Sequence, residues 1–540
     1  MKKVFVFAIL LVSFQVSFSQ KIQVPAKPKL VVGIVIDQMR YDFLYRYYDS
    51  YSERGFKRLL KEGFHCKNNH YHYATTYTGP GHAAIYTGSI PAINGIVGNE
   101  WYELSGKLTY VVEDSLVQGV GTNGSAGKMS PRNMLTSTIT DQLRLATQFR
   151  SKVIGVAIKD RGAILPAGHT ANAAYWYESQ TGNWISSNYY MQDLPEWVKK
   201  FNQSGRAKQL LQTWQTLQAP SNYKNAEEDN QSYERPLEGE KNAVFPHQIN
   251  SFSLLASSPW GNTLTKEFAL EAIRNEKLGK GSETDFLCIS FSSTDIAGHS
   301  FGPFSLENQD MYVRLDQEIG DILAFLDKEF GKDNYLLFLT ADHGVADVAG
   351  FSQKNKIPAG SASGSNHLQI LQESIEKKFG QGKWILYTEN QQLYLNHSLL
   401  EQKKVSVKEI YEVVRKTLLR QPEVYNVVNL WDNEIEQALP DYYASMVKNI
   451  YHPKRCGEIM ILLKPAWYYG FNKGGTTHGT FYNYDTQVPL LWFGWKTPKG
   501  ETSQRTHIAD IAPTLAAMLN LLQPNGCVGN PIEALLKNLK

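Results

Sequence analysis

Apolar residues are concentrated in a few short, dense runs separated by long amphipathic stretches. Leu30–Ile36 is apolar at every position, the pattern of a strand buried on both faces. Similar runs at 152–158, Asp285–Phe291, 335–339, Ile459–Leu463 and 488–493 predict further buried strands. Between them, helical spacing predicts helices over 51–62, 262–276, Leu306–Phe330 and 510–521. Ser130-Pro131, a cap residue followed by a first-turn proline, predicts another helix reaching about Phe149. Strands alternating with helices give an α/β fold, a largely parallel sheet with helices on both faces. Two stretches break the alternation. From about 170 to 250, aromatic-polar alternation followed by a polar, charged segment predicts a cap and loop excursion over the sheet. From about 350 to 457 the chain holds its own helices and short strands, an inserted α/β subdomain, and the core is expected to resume at Ile459.

A chain of 540 residues, 42% hydrophobic and 12% aromatic, suffices for a large globular enzyme built as one elaborated domain. Its 55 Lys and Arg residues are interspersed with 52 Asp and Glu, and a net charge of +3 without a basic tract excludes nucleic acid as the expected partner. Met1-Lys2-Lys3, an apolar run over 4–12, and Ser17-Phe18-Ser19 ahead of Gln20 predict a signal peptide over 1–19, too short to span a bilayer. With no cysteine after the cut and no later apolar run long enough to cross a membrane, the expected product is residues 20–540, a periplasmic monomer without a membrane anchor. Cys66, Cys288, Cys456 and Cys527 could pair in three ways in that compartment, although Cys288, inside an apolar run, is expected to be a buried free thiol.

The strand ends carry the candidate chemistry. Asp37, Lys159, Arg161, Asp295 and Asp342 all follow predicted buried strands, where open parallel sheets bind ligands. A single Asp there is an ordinary turn residue. Three after three strands, with His299 and His343 close by, form a pattern. Asp295-x-x-x-His299 can present two ligands on one side of a turn, and adjacent side chains of Asp342-His343 can converge where the strand ends. A mixed Asp/His set suits zinc, and two ions about 4 Å apart clamp both the attacking and the leaving oxygen of a phosphoryl transfer. Thr78 precedes Gly79-Pro80-Gly81, which reads as a break with a small-residue helix starting behind it. That places Thr78 at a helix N-terminus, where an anion is favoured. A zinc-bound hydroxyl there would be acidified into a nucleophile, whereas the plainer role for such a threonine is helix capping.

Other signals lead nowhere. Gly119-Val120-Gly121-Thr122-Asn123-Gly124 spells a dinucleotide fingerprint without a surrounding βαβ unit, and Gly127-Lys128 is followed by Met129, not Ser or Thr. His65, His70 and His72 cluster near Cys66 but are not expected to form a further zinc site, and His82 is expected to pack near Thr78.

Taken together, Asp37, Ala74-Thr75-Thr76-Tyr77-Thr78-Gly79-Pro80-Gly81-His82, Gly98-Asn99-Glu100-Trp101-Tyr102, Lys159-Asp160-Arg161, Ser293-Thr294-Asp295-Ile296-Ala297-Gly298-His299, Thr340-Ala341-Asp342-His343-Gly344 and Thr477-His478-Gly479 resemble the alkaline phosphatase superfamily over nearly the whole chain past residue 20. The resemblance is greatest to its PafA-type, phosphate-insensitive bacterial phosphatases. It implies a three-layer sandwich and two Zn2+ per chain, one held by Asp295, His299 and His478, the other by Asp37, Asp342 and His343. It also implies Thr78 as the nucleophile on the second ion, with Asn99, Lys159 and Arg161 on the non-bridging phosphoryl oxygens. The implied reaction releases phosphate from small-molecule monoesters through a phosphothreonine. A phosphodiesterase or nucleotide pyrophosphatase of the superfamily would share the ligands and the threonine. A secreted metal-dependent binding protein without turnover is the reading outside enzymes. A sulfatase is excluded because no C/S-x-P-x-R motif is present.

Overall fold

The computed structural model describes residues 27–540 except 104, 432–434, 472, 473, 538 and 540, so the expected signal peptide lies outside the described residues. In chain order, the main sheet is built from β1 (Leu30–Ile36), β2 (Phe64–His70), β3 (Val153–Ala157), β4 (Ala173–Glu178), β5 (Asn183–Ser187), β6 (Asp285–Phe291), β7 (Tyr335–Thr340), β8 (Leu490–Gly494) and β9 (Gly500–His507), with the two-residue strand Gly119–Val120 at one edge. Their spatial order is β9-β2-β8-β7-β1-β6-β3-β4-β5 and then Gly119–Val120. The five central strands β7, β1, β6, β3 and β4 are parallel, and β8 runs against them. β1, β3, β6 and β7 are buried at every position, as continuous apolar runs require when helices cover both faces. This is the expected α/β sandwich.

Several boundaries differ from the sequence reading. The helix expected over 51–62 is shorter, α1 (Phe56–Glu62), because the buried carboxylate of Asp316 accepts from Ser52 N and Phe56 N at 2.7 Å each and fixes the start. The helix expected from Ser130 starts nine residues later, as Ile139–Ala146. Thr138 and Asp141 form a capping box there, whereas the Ser130 hydroxyl is engaged by Asp114 at 2.6 Å and supports irregular chain. The excursion expected from 170 is at first no cap at all. β4 pairs in parallel with β3, and β5 folds back on β4, so this segment widens the sheet itself. Its aromatic residues Tyr175 and Trp184 pack on Phe268.

Ile459–Leu463 does not return to the main sheet. It is the third strand of a separate antiparallel sheet, in the spatial order Ile385–Glu389, Gln392–Leu395, Ile459–Leu463, Val424–Asn429. Helices Gly364–Phe379 and Val407–Leu418 cover it around Leu371, Trp384, Ile410, Val414 and Ile461. Gly360–Ala362 pairs with Trp467–Tyr469 at the base of this unit, so the insertion extends about a dozen residues beyond the expected boundary at 457. A run of five apolar residues names a strand but not the sheet it joins. All four cysteines are free thiols, and Cys288 is buried in β6 as expected.

The capping box makes one test of this architecture. Thr138→Ala should lower stability by about 1 kcal/mol, read as a lower thermal midpoint, whereas Thr138→Ser should stay with the parent.

Candidate active site

The flush parallel register of β1, β6 and β7 brings their carboxyl ends level, with Val35 opposite both Ser290 and Thr340. Asp37 follows β1 directly, Asp342 follows β7, and Asp295 lies in the first turn of α2 (Ser293–Phe301) behind β6. All three are buried. Lys159, after β3, extends into the cluster. Its ammonium donates to Asp37 Oδ2 at 2.7 Å, Asp295 Oδ2 at 2.5 Å and Thr78 Oγ1 at 3.4 Å.

Thr78 is the first residue of an α-helix, Thr78–Thr87, entered from the extended Tyr77. The Gly-Pro-Gly segment is therefore its first turn, where a break had been expected, since a proline in the first turn sacrifices no intrahelical bond. Gly81 is required by close approach: a Cβ there would collide with the Asp342 carbonyl. This contact sets Thr78 against the metal-ligand candidates. Asn99 Oδ1 accepts from Gly79 N at 2.8 Å, which fixes its amide beside the nucleophile candidate. His82 does pack behind Thr78, bonded to Thr78 O and to Ser290 Oγ at 2.9 Å each.

Each histidine in the site is oriented by a backbone carbonyl. His299 Nδ1 lies 2.8 Å from Thr476 O, His343 Nδ1 2.9 Å from Gly344 O, and His478 Nδ1 2.7 Å from Thr76 O. A carbonyl can only accept, so Nδ1 carries a proton in each. In His343 and His478, which burial holds neutral, the Nε2 lone pair faces the aspartates, whereas at His299 burial is outweighed by the Asp295 carboxylate, which favours a second proton. His299 Nε2 and His478 Nε2 stand 3.2 and 3.5 Å from Asp295 Oδ1, and His343 Nε2 stands 3.4 Å from Asp37 Oδ1 and 3.5 Å from Asp342 Oδ2. At His343 and His478, lone pairs facing carboxylate oxygens at this range repel unless a cation lies between them. Asp37 Oδ1, Asp342 Oδ2 and His343 Nε2 are also buried without a hydrogen-bond partner, which fits a metal-binding set. Among the described residues two groups have metal-binding geometry: Asp37, Asp342 and His343, and Asp295, His343 and His478. His343 borders both, its ring stacked on His478 at 3.5 Å. His299, expected with Asp295 and His478, lies outside both groups, although its Nε2 stands 3.2 Å from Asp295 Oδ1. His65, His70 and His72 form no such group.

The ionisation pattern reflects crowded buried charge. Burial, moderated by Lys159, pushes the Asp37 carboxyl up to about 6. Burial and the neighbouring Asp37 raise Asp342 well above the ordinary carboxylate range. Burial alone would raise Asp295 too, but His299 and Lys159 hold it well below that range. Burial also keeps His343 and His478 neutral, the form that ligates metal.

Arg161 does not reach the aspartates. Its Nη1 donates to Tyr110 OH at 3.0 Å, and its Nε is buried without a partner. Tyr110 in turn donates to Asp160 at 2.6 Å. The sequence reading missed both Tyr110 and Gln38. Gln38 Nε2 donates to Asp295 Oδ1 at 2.6 Å and its backbone N to Asp342 Oδ1 at 3.2 Å. Its left-handed φ of 67° turns the chain for this bridge, and its position next to Asp37 was the one available signal.

A family model for type I phosphodiesterase / nucleotide pyrophosphatase matches residues 31–487. The chain is 44% identical to alkaline phosphatase PhoV of Synechococcus elongatus, over 95% of this chain and 94% of that one. The crystal structure of alkaline phosphatase PafA superimposes with a TM-score of 0.91 at 41% identity, covering 94% of this chain and 99% of the other. The chain belongs to the alkaline phosphatase superfamily. A second PafA structure, equally similar to this superfamily member, carries replacements of one Thr, one Asn, one Lys and one Arg. A Myroides odoratus protein called a calcium-transporting ATPase is 46% identical over 96% of both chains. That name implies membrane transport, but among the described residues of this phosphatase-superfamily chain no helix is long and apolar enough to cross a bilayer.

If the orphaned ligand atoms hold a cation, Zn2+ should raise the thermal midpoint of chelator-treated protein. Asp342→Asn should remove most of that rise without lowering the metal-free midpoint, because burial and Asp37 already favour the neutral form of this carboxyl when no cation is bound. A variant still fully stabilised by Zn2+ would exclude Asp342 as a ligand.

Proposed function

We propose that the chain, a phosphatase of the alkaline phosphatase superfamily, is an exported, periplasmic zinc-dependent phosphomonoesterase acting through a covalent phosphothreonine on Thr78. The observation that carries this reading is the placement of the Thr78 hydroxyl at a helix N-terminus, 3.4 Å from Lys159 and beside two Asp/His groups. Asp295, His299 and His478 would hold one Zn2+ and Asp37, Asp342 and His343 the other, and when bound the pair would acidify the Thr78 hydroxyl and offset charge on the ester oxygen as it departs. Thr78 Oγ1 forms the bond to phosphorus while the bond from phosphorus to the ester oxygen breaks. Water then attacks the phosphothreonine, and inorganic phosphate leaves with Thr78 restored. The helix N-terminus supplies backbone dipoles directed at the transferring group. Asn99, Lys159 and Arg161 bind the non-bridging oxygens, with Tyr110 orienting the Arg161 guanidinium.

Elemental analysis of purified protein should find about two zinc per chain. Thr78→Ala should retain that metal and lose several orders of magnitude in turnover, whereas Thr75→Ala and Thr76→Ala should not. Full activity after exhaustive chelation would end the metalloenzyme reading.

The family model's phosphodiesterase members raise a second possibility, and the two cations argue against it. A monoester dianion leaves more charge for Lys159 and Arg161 than a diester does, and a diester carries an extra group to crowd them. The Lys159→Ala, Arg161→Ala double variant should therefore lose about 3 kcal/mol or more on an aryl phosphate, and much less on its methyl diester. Equal losses in kcat/KM, or a parent preferring the diester, would favour the phosphodiesterase.

A further inference from the structure

A cavity of about 270 Å³ lies between the inserted unit and the catalytic domain. Tyr77 and His478 line its catalytic side, and His367, Glu389, Gln391 and Tyr469 line its insertion side. Its position follows from the hairpin of Ile385–Glu389 and Gln392–Leu395. The hairpin tip, Asn390-Gln391, holds two successive left-handed residues with φ of 51° and 63°. Such a turn favours glycine or asparagine, and a glutamine is kept in it here by bonds across the domain boundary. Asn390 Nδ2 donates to Glu100 O at 2.7 Å, and Gln391 Nε2 donates to Gly479 O at 3.1 Å. The tip thus ties to the chain on either side of the phosphoryl site, next to Asn99 and next to His478, and sets Glu389 beside Tyr77.

The cavity lies on one defined side of the reaction. An in-line displacement expels the ester oxygen opposite Thr78, toward the group of Asp295, His299 and His478. An alcohol attached to that oxygen would extend toward His478 and Tyr77, which line the cavity. Among the described residues its lining contains no lysine or arginine. Both nitrogens of His367 are engaged, by Tyr469 OH at 2.9 Å and by Glu423 at 2.7 Å. Glu389 has no ion-pair partner among the described residues, and its surroundings are acidic: burial first, then the charge of Glu100, raises its carboxyl to about 6. A pocket lined by tyrosine rings, aliphatic side chains, amides and one carboxylate, with no lysine or arginine among the described lining residues, attracts a cationic head and repels an anionic one.

We infer that this cavity binds the leaving alcohol of the monoester, and that Glu389 selects amine-bearing alkyl phosphates over those with a second anionic group. This rests on the monoesterase reading above. Lys159 and Arg161 hold the phosphoryl charge on the opposite side of the site, so the molecule presents cations to the phosphate and an anion to the alcohol.

The test uses three probes of equal length: 2-aminoethyl, 2-hydroxyethyl and carboxymethyl phosphate. Intrinsic leaving-group reactivity cancels when the kcat/KM ratio of the amino to the carboxyl probe is compared between parent and variant. Glu389→Gln should lower that ratio about tenfold, and Glu389→Lys should lower it further, while the hydroxyl probe falls between the two. Calorimetry on the Thr78→Ala protein, which binds without turnover, should show the amino probe binding more tightly than the carboxyl probe, and Glu389→Gln should remove the difference. Unchanged ratios and equal binding, in a parent that hydrolyses an aryl phosphate normally, would overturn the inference alone. A parent that releases no phosphate from the aryl ester would overturn the monoesterase reading and this inference with it.

Discussion

The burial of Asp37, Asp295 and Asp342 at the ends of adjacent parallel strands is the constraint on which the rest of the site depends. Three carboxylates this close cannot all be ionised in a low-dielectric setting without compensation. Lys159 supplies a cation that bonds to two of them. Gln38 ties Asp295 to Asp342 with neutral donors, and three backbone carbonyls turn histidine Nε2 atoms toward the same oxygens. A set with more acceptors than donors is stable when cations fill it, which is why the same geometry that is costly for the bare polypeptide favours metal binding.

This constraint also shapes the fold around the site. The sheet must be parallel at its centre, because only then do successive strands place their carboxyl ends on one side. The helix carrying Thr78 must approach the end of β7 closely, so it passes Asp342 with a glycine. Asp37 and Asp342 stand at the ends of rigid strands, Asp295 in the first turn of α2, and a helix terminus fixes the nucleophile candidate, so none depends on a long loop for its position. Loops supply the fourth side, at Thr476 and His478, and those are the segments clasped by the inserted unit.

The sequence displays the part of this arrangement that follows from burial alone. Continuous apolar runs marked β1, β3, β6 and β7, and the aspartates directly after them marked the site. Three kinds of feature did not show. The aromatic strands β4 and β5 alternate ring and polar residues as a loop excursion does, although both are almost wholly buried, so their pattern did not separate strand from cap. Ile459–Leu463 looked like a core strand because its sheet has a comparable apolar interior. Gln38 and Tyr110 act through partners far away in sequence, and no local pattern distinguishes a bridging glutamine or tyrosine from a surface one. Which aspartate goes with which histidine, and the inclusion of Asn99, came only from resemblance to known motifs, and the geometry brings His343 as near to Asp295 and His478 as to Asp37 and Asp342.

The inserted unit illustrates why a second core is useful to such a site. Its own hydrophobic cluster around Trp384 and Ile461 lets it hold the Asn390-Gln391 turn in a conformation that an isolated loop would abandon. The bonds from that turn to Glu100 O and Gly479 O are then made by a pre-ordered element, so little entropy is lost in forming them. A segment with no stable core of its own could cover the site, but it could not place a carboxylate against Tyr77 with similar accuracy. Catalysis of phosphoryl transfer is largely positioning and charge, and the catalytic sheet provides both for the phosphate. The leaving group lies beyond the reach of the strand ends, so whatever discriminates among alcohols must come from outside the sheet. The insertion is the element that touches that space.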